Sequence, residues 1–183
     1  MATSIQELQG ARVRLRAWVP GDREPFAELN ADPVTMEFFP AALSRSESDA
    51  MIDRLQARLE EHGWGLWCLD VGGQCAGFVG LAVPTFDAHF TPCVEIGWRL
   101  DKAFWGRGYA TEGARLALRF GFESLLLPEV VSFTAVSNWR SRRVMQRLGM
   151  THRPEEDFEH PRLPEGHTLR RHVLYRMPAV NLK

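Results

Sequence analysis

Val94-Glu95-Ile96-Gly97-Trp98-Arg99-Leu100, then Asp101-Lys102-Ala103-Phe104, then Trp105-Gly106-Arg107-Gly108-Tyr109-Ala110-Thr111-Glu112-Gly113 is the stretch that decides the fold. A β-rich run carrying one acid feeds a glycine-rich turn, and the turn opens directly into a helix. The first backbone N–H groups of a helix have no internal partner, and the helix dipole adds partial positive charge there. Gly106 and Gly108 remove the Cβ atoms that would hold an anion away from those donors. The pattern predicts a phosphate cradle with a carboxylate, Glu95, a few residues upstream.

Working outward, residues 110–124 form a helix with Glu112, Arg115, Arg119 and Glu123 as its polar stripe, three or four apart. After Pro128, residues 130–136 make a strand rich in β-branched residues. The strand–helix–strand unit 94–136 predicts a right-handed parallel crossover. Residues 138–148 give a last helix stopped by Gly149, and residues 173–177 a closing strand behind the proline-bearing loop 154–164.

Upstream, residues 1–11 read as a loose lead-in, 12–18 as a half-buried strand and 23–30 as a short helix. Ser44 and Glu47 have capping-box spacing, and Met51, Ile52, Leu55 and Leu59 recur at helical intervals until Gly63. Strands at 64–71 and 74–83 flank Gly72-Gly73, a dipeptide suited to a tight hairpin. A loop at 84–92 leads to the strand 93–100. The expectation is one α/β (α+β) domain over residues 1–183, with a mixed, mostly antiparallel sheet of six to seven strands and four helices.

The 183-residue length suits one domain with a full core. A formal net charge of −1 gives no general attraction to nucleic acid or an anionic membrane. No apolar run approaches the ~18 residues of a membrane span, and the amino terminus has no signal-peptide pattern. Three scattered cysteines, Cys68, Cys75 and Cys93, make no disulfide framework and favour a reducing cytosol. A cytoplasmic protein is expected. Oligomeric state, a homodimer included, is left open.

The turn fits known phosphate motifs unevenly. A dinucleotide fingerprint wants a third glycine where Thr111 stands, and wants the turn directly after the strand, whereas residues 101–104 intervene. A P-loop lacks its Gly-Lys-Ser/Thr. Glu95 is either a structural charge, paired or simply pointing to solvent, or a general base, since burial would raise its pKa into a working range. Asn138, Ser141 and Met145 share one helix side with Val144 and Leu148. Asn138 suits an N-cap, and Ser141 is the polar exception on that face. Arg140, Arg142, Arg143 and Arg147 decorate the outer side as a solvated face. His152, His160, His167 and His172 match no metal spacing, so no metal is expected. Segment 154–168 is expected to shape an acceptor pocket, with Tyr175 in the core.

Trp105–Glu112, preceded by Glu95-Ile96-Gly97-Trp98 and followed by Asn138 through Met150, resembles the GNAT acetyltransferases. It is most similar to the branch that includes the ribosomal-protein N-terminal acetyltransferases RimJ and RimL. The match covers about residues 93–150, and the tail from His160 to Tyr175 is similar as well. Two motifs in order, about thirty residues apart, are more specific than either alone.

The resemblance implies a GNAT fold with splayed central parallel strands, and acetyl-CoA as co-substrate. The family turn, Gln/Arg-x-x-Gly-x-Gly/Ala, falls on Trp105, Gly108 and Ala110, with Trp105 departing from the general pattern. Backbone of Gly106, Arg107, Gly108, Tyr109, Ala110 and Thr111 would hold the pyrophosphate. The pantetheine arm would bond backbone near Trp98 and Leu100 and reach Asn138. One of Arg140, Arg142, Arg143 and Arg147, or else Arg107, would meet the 3′-phosphate.

Glu95 would be the base, with Asp87 and Glu37 as alternatives from loops. Met145 stands where many members have a tyrosine acid, so either Ser141 protonates the thiolate or it leaves unassisted. The implied reaction is direct acetyl transfer to a primary amine of a small molecule or protein N-terminus. Two alternatives stay open: a non-catalytic acyl-CoA-binding or sensing domain, and a dinucleotide-dependent oxidoreductase.

Overall fold

The computed structural model describes residues 4–181. Nine strands form one sheet: β1 (Leu8–Gln9), β2 (Arg14–Arg16), β3 (Leu66–Val71), β4 (Gln74–Ala82), β5 (Glu95–Leu100), β6 (Glu129–Ala135), β7 (Thr151–His152), β8 (Phe158–Glu159) and β9 (Arg171–Pro178). Their order is β1-β2-β3-β4-β5-β6-β9-β7, with β8 also pairing β9. Every pair is antiparallel except β5 with β6. Four helices complete the fold: α1 (Arg23–Ala31), α2 (Arg45–His62), α3 (Tyr109–Glu123) and α4 (Trp139–Leu148).

The expected mixed sheet and four helices are thus present. The sheet exceeds six to seven strands because β1, β7 and β8 have two residues each, too short to carry a periodicity. The lead-in is accordingly not all loose: Leu8 and Gln9 pair with Leu15 and Arg14.

Local chemistry sets the helix ends. The Ser44 backbone N–H donates to Glu47 at 2.8 Å, and the Glu47 N–H returns to the Ser44 hydroxyl at 3.3 Å, closing the capping box on α2. Asn138 Oδ1 accepts from the Ser141 N–H at 3.2 Å and starts α4.

α3 lies directly on the sheet. A Cβ on its Gly113 would meet Leu69 at 3.0 Å and Val79 at 3.4 Å, and one on Gly121 would meet Leu81 at 3.1 Å. Val79 and Leu81 pair with Trp98 and Ile96, so α3 covers the face that carries Ile96, Trp98 and Leu100. Glu95, Gly97 and Arg99 point to the opposite face. There α1 and α2 cover one side, and a smaller cluster of Phe90, Val131, Phe158 and Leu174 covers the other.

The parallel pair is minimal. Glu95 opposite Val131 is its one registered position, with the Val131 N–H donating to the Val94 carbonyl at 2.9 Å. One further link comes from the Ser132 hydroxyl, which donates to the Ile96 carbonyl at 2.9 Å. Beyond it β5 and β6 part, as the splayed strands of the resemblance require.

Candidate active site

The gap between β5 and β6 opens into a cavity of about 650 Å³. Glu95, Trp98, Leu100, Gly106, Gly108, Tyr109, Ala110, Thr111, Asn138 and Ser141 all line it. Arg107 does not. A turn has no periodicity to fix where a side chain points, and Arg107 instead contributes its carbonyl, which accepts from Arg12 Nη1 at 2.9 Å.

At one end is the glycine turn. Gly106 and Gly108 have φ values of +74° and +81°, a left-handed region that other residues enter at a cost. Gly108 is the N-cap of α3, and no side chain caps the helix. The N–H groups of its first turn therefore stand free for an oxygen-rich ligand. Arg12 fastens this end from a distance in sequence that local reading could not bridge. Its backbone N–H and Nε both donate to the Glu112 carboxylate at 2.8 Å.

Trp105 donates its indole N–H to the Leu100 carbonyl at 2.8 Å, with the Arg140 guanidinium 4.5 Å above its ring. The aromatic residue thus braces the turn against β5. Arg140 is also bound by Glu37, one of the alternative bases, which lies outside the cavity lining. Arg143 and Arg147 line the cavity and take part in no ion pair among the described residues.

Near the middle, Trp98 and Ser141 meet across the gap: the indole N–H donates to the hydroxyl at 3.2 Å. Asn138 Nδ2 donates to Thr134 Oγ1 at 2.9 Å. Met145 is buried behind them.

Glu95 stands where the strands begin to part. Burial pushes its carboxyl up to about 7, opposed by the nearby positive charge of Arg162. Among the described residues no group hydrogen-bonds that carboxylate, so it is available to a ligand. Asp87, the other alternative base, is outside the cavity lining.

The wall beside Glu95 is aromatic. His160 and His172 line the cavity with ring centroids 4.9 Å apart, packed on Phe133 and Phe158. Burial pulls His160 down to about 4 and lowers His172 as well, so both rings are neutral at pH 7. Segment 154–168 thus borders the cavity through His160, Arg162 and Leu163. On the other side stand Phe38, Phe39 and Arg99, which the sequence reading had not singled out. Strand alternation from Glu95 would have found Arg99. Tyr175 is buried, as expected.

The acetyltransferase (GNAT) domain model matches residues 12–151. The chain belongs to that family. This GNAT domain is 34% identical over 152 residues to an FsC-acetyl coenzyme A-N(2)-transacetylase of Aspergillus fumigatus, covering 79% of the chain and 65% of that relative. The chain therefore spans a little under two thirds of the fungal protein's length.

In fold it is similar to a GNAT-family acetyltransferase from Bacillus anthracis, with a TM-score of 0.79, 21% identity, and coverage of 96% and 99% of the two chains. It is also similar to RimL, the ribosomal L7/L12 alpha-N-protein acetyltransferase solved in complex with coenzyme A. There the TM-score is 0.72 at 14% identity, with 97% and 98% of the two chains covered. Membership in this family sets the dinucleotide oxidoreductase alternative aside. No helix among the described residues is long and apolar enough to cross a membrane.

Proposed function

We propose that the chain is an acetyl-CoA-dependent N-acetyltransferase that acetylates a primary amine by direct attack in a ternary complex. The observation that carries this reading is Glu95: an unbonded carboxyl, pushed up to about 7 by burial, lining a cavity that also reaches an uncapped helix start.

The donor would supply an acyl carbon held as a thioester. Free N–H groups from Gly106 to Thr111 would hold its pyrophosphate, and Arg143 or Arg147 its 3′-phosphate. Backbone near Trp98 and Leu100, with Asn138, would take the pantetheine arm. Glu95 takes the proton that the amine must lose before or during attack, directly or through a water. A β5 backbone N–H near Trp98 polarises the thioester carbonyl while the C–N bond forms and the C–S bond breaks. Ser141 keeps its own O–H free while accepting from Trp98 and donates it as a hydrogen bond to the departing thiolate, whose proton comes from the one released by the amine, passed on through solvent.

Acceptors compatible with this reading are small-molecule amines and protein N-termini. The RimL likeness is one of fold, and the name of the fungal relative gives transfer to an N(2) nitrogen. The non-catalytic acyl-CoA-binding alternative predicts that acetyl-CoA binds with no amine-dependent release of CoA. Glu95→Gln tests the reading: amine-dependent CoA release falls while acetyl-CoA still protects against thermal unfolding. Unchanged turnover would remove Glu95 as the base.

A further inference from the structure

Arg99 is a half-buried cation without an anion. It leaves β5 on the Glu95 face, with the Phe39 ring centroid 3.9 Å from its guanidinium carbon and the Phe78 centroid at 5.3 Å. Nη1 donates to Asn30 Oδ1 at 2.7 Å, a neutral partner. Nε is buried with no hydrogen-bond partner. Nη2, which shares the side-on edge of the guanidinium with Nε, makes no hydrogen bond among the described residues. Burial pulls the group down to about 10, so it stays charged at neutral pH.

The same chain shows what a self-sufficient buried arginine looks like. Arg16 donates from Nη1 and Nη2 to Asp22 at 2.7 and 2.9 Å, and from Nε to Asp70 at 2.8 Å. Leaving a buried charge unpaired is costly, and a planar fork is matched best by a carboxylate. Arg99 keeps Nη2 unbonded and not sealed from solvent, and it lacks the carboxylate.

The donor is a poor candidate for that anion. Its expected phosphate site is the start of α3, on the opposite sheet face, where Arg143 and Arg147 stand nearby. What shares the Arg99 side of the cavity is Glu95, four residues away on one strand, or about 13 Å between Cα atoms. A molecule that offers its amine to Glu95 would extend toward Arg99.

We propose that Arg99 binds a carboxylate of the acceptor, so that the amine substrate is an amino-acid-like molecule with its carboxylate several bonds from the reacting nitrogen. Phe38 and Phe39 flank the connecting chain. Free α-amino acids reacting at their α-nitrogen are too short for both contacts. The inference rests on the transferase reading above.

The test compares straight-chain ω-amino acids, from 4-aminobutanoate to 6-aminohexanoate, with their N-methyl amides as acceptors. Wild-type protein is expected to prefer the acids by roughly 10- to 100-fold in kcat/KM, the range for a hydrogen bond to a charged group. Arg99→Gln should bring the acid-to-amide ratio of kcat/KM to within about threefold of one, and Arg99→Lys should restore part of the preference. Equal use of acids and amides by the wild type overturns the proposal. So does an Arg99→Gln variant that loses both series alike, which would mean a purely structural role. Failure of every amine in both series, with acetyl-CoA still protecting the fold, overturns this proposal and leaves the transferase reading to the Glu95→Gln test above.

Discussion

The Trp98 indole N–H donates to the Ser141 hydroxyl at 3.2 Å, joining β5 to α4 across a gap the backbone leaves open. This fixes the serine oxygen as acceptor from β5 and leaves its proton to be given elsewhere. Ser141→Ala should lower kcat by about 10-fold at pH 7, with little change in the acetyl-CoA KM. The deficit should shrink as pH rises past about 8.5, where a thiol of ordinary pKa leaves as the thiolate unaided. Steady-state rates from pH 6 to 9.5 decide it; a pH-independent deficit would mean the serine only holds Trp98 in place.

Glu95 has opposite effects on rate and stability. As a base it must be ionised, so the acid limb of kcat/KM should have an apparent pKa near 7, and activity should fall as pH drops through it. For folding the sign reverses. A carboxyl whose folded pKa lies above its unfolded value of 4.5 favours the fold while protonated, and loses that contribution as pH rises from about 4.5 to about 7. Glu95→Gln should therefore lower kcat by roughly 100-fold or more, yet raise stability at pH 8 by about 1–2 kcal/mol. Paired rate and thermal-melt measurements check both.

Arg12 holds the glycine turn by its carbonyl and α3 by Glu112. Its side chain is 54% exposed in that ion pair, so the pair should contribute at most about 1 kcal/mol to stability. The expected effect is on ligand binding. Arg12→Ala should weaken acetyl-CoA by about 5- to 10-fold in calorimetry, with a thermal midpoint within about 3 °C of the wild type.

Gly77 combines φ +130° with a β4–β5 contact that no side chain fits: a Cβ there would lie 2.0 Å from the Arg99 carbonyl. Gly77→Ala should cost about 3 kcal/mol or more, lowering the melting midpoint by roughly 10 °C. Because β5 must shift to relieve the clash, the loss should also reach acceptor kinetics. A midpoint unchanged within error would show that the strand pair yields freely.

Much of the donor side was legible because its signals are local. A glycine turn against a helix start and an Asn N-cap each lie within four residues of sequence. The parting of β5 and β6 was available only through resemblance, since both strands look continuous by composition. Arg12 and Glu112 are 100 positions apart, and nothing near either residue announces the other. Arg99 was within reach, two alternations from Glu95, but a lone arginine on a strand ordinarily signals a solvated edge. The wall of His160, His172, Phe133 and Phe158 required knowing that β8 and β9 fold back beside β6.

The single rung between Glu95 and Val131 has a consequence for the stability of the protein. With one registered pair and the Ser132–Ile96 bond joining β1–β5 to β6–β9, the sheet is two halves closed at a narrow seam. A ligand that spans the seam binds the folded chain and not the unfolded one. At a hundredfold excess over its dissociation constant it would add about 2.7 kcal/mol. Resistance to protease and heat should then rise with added acetyl-CoA, most of all at the seam.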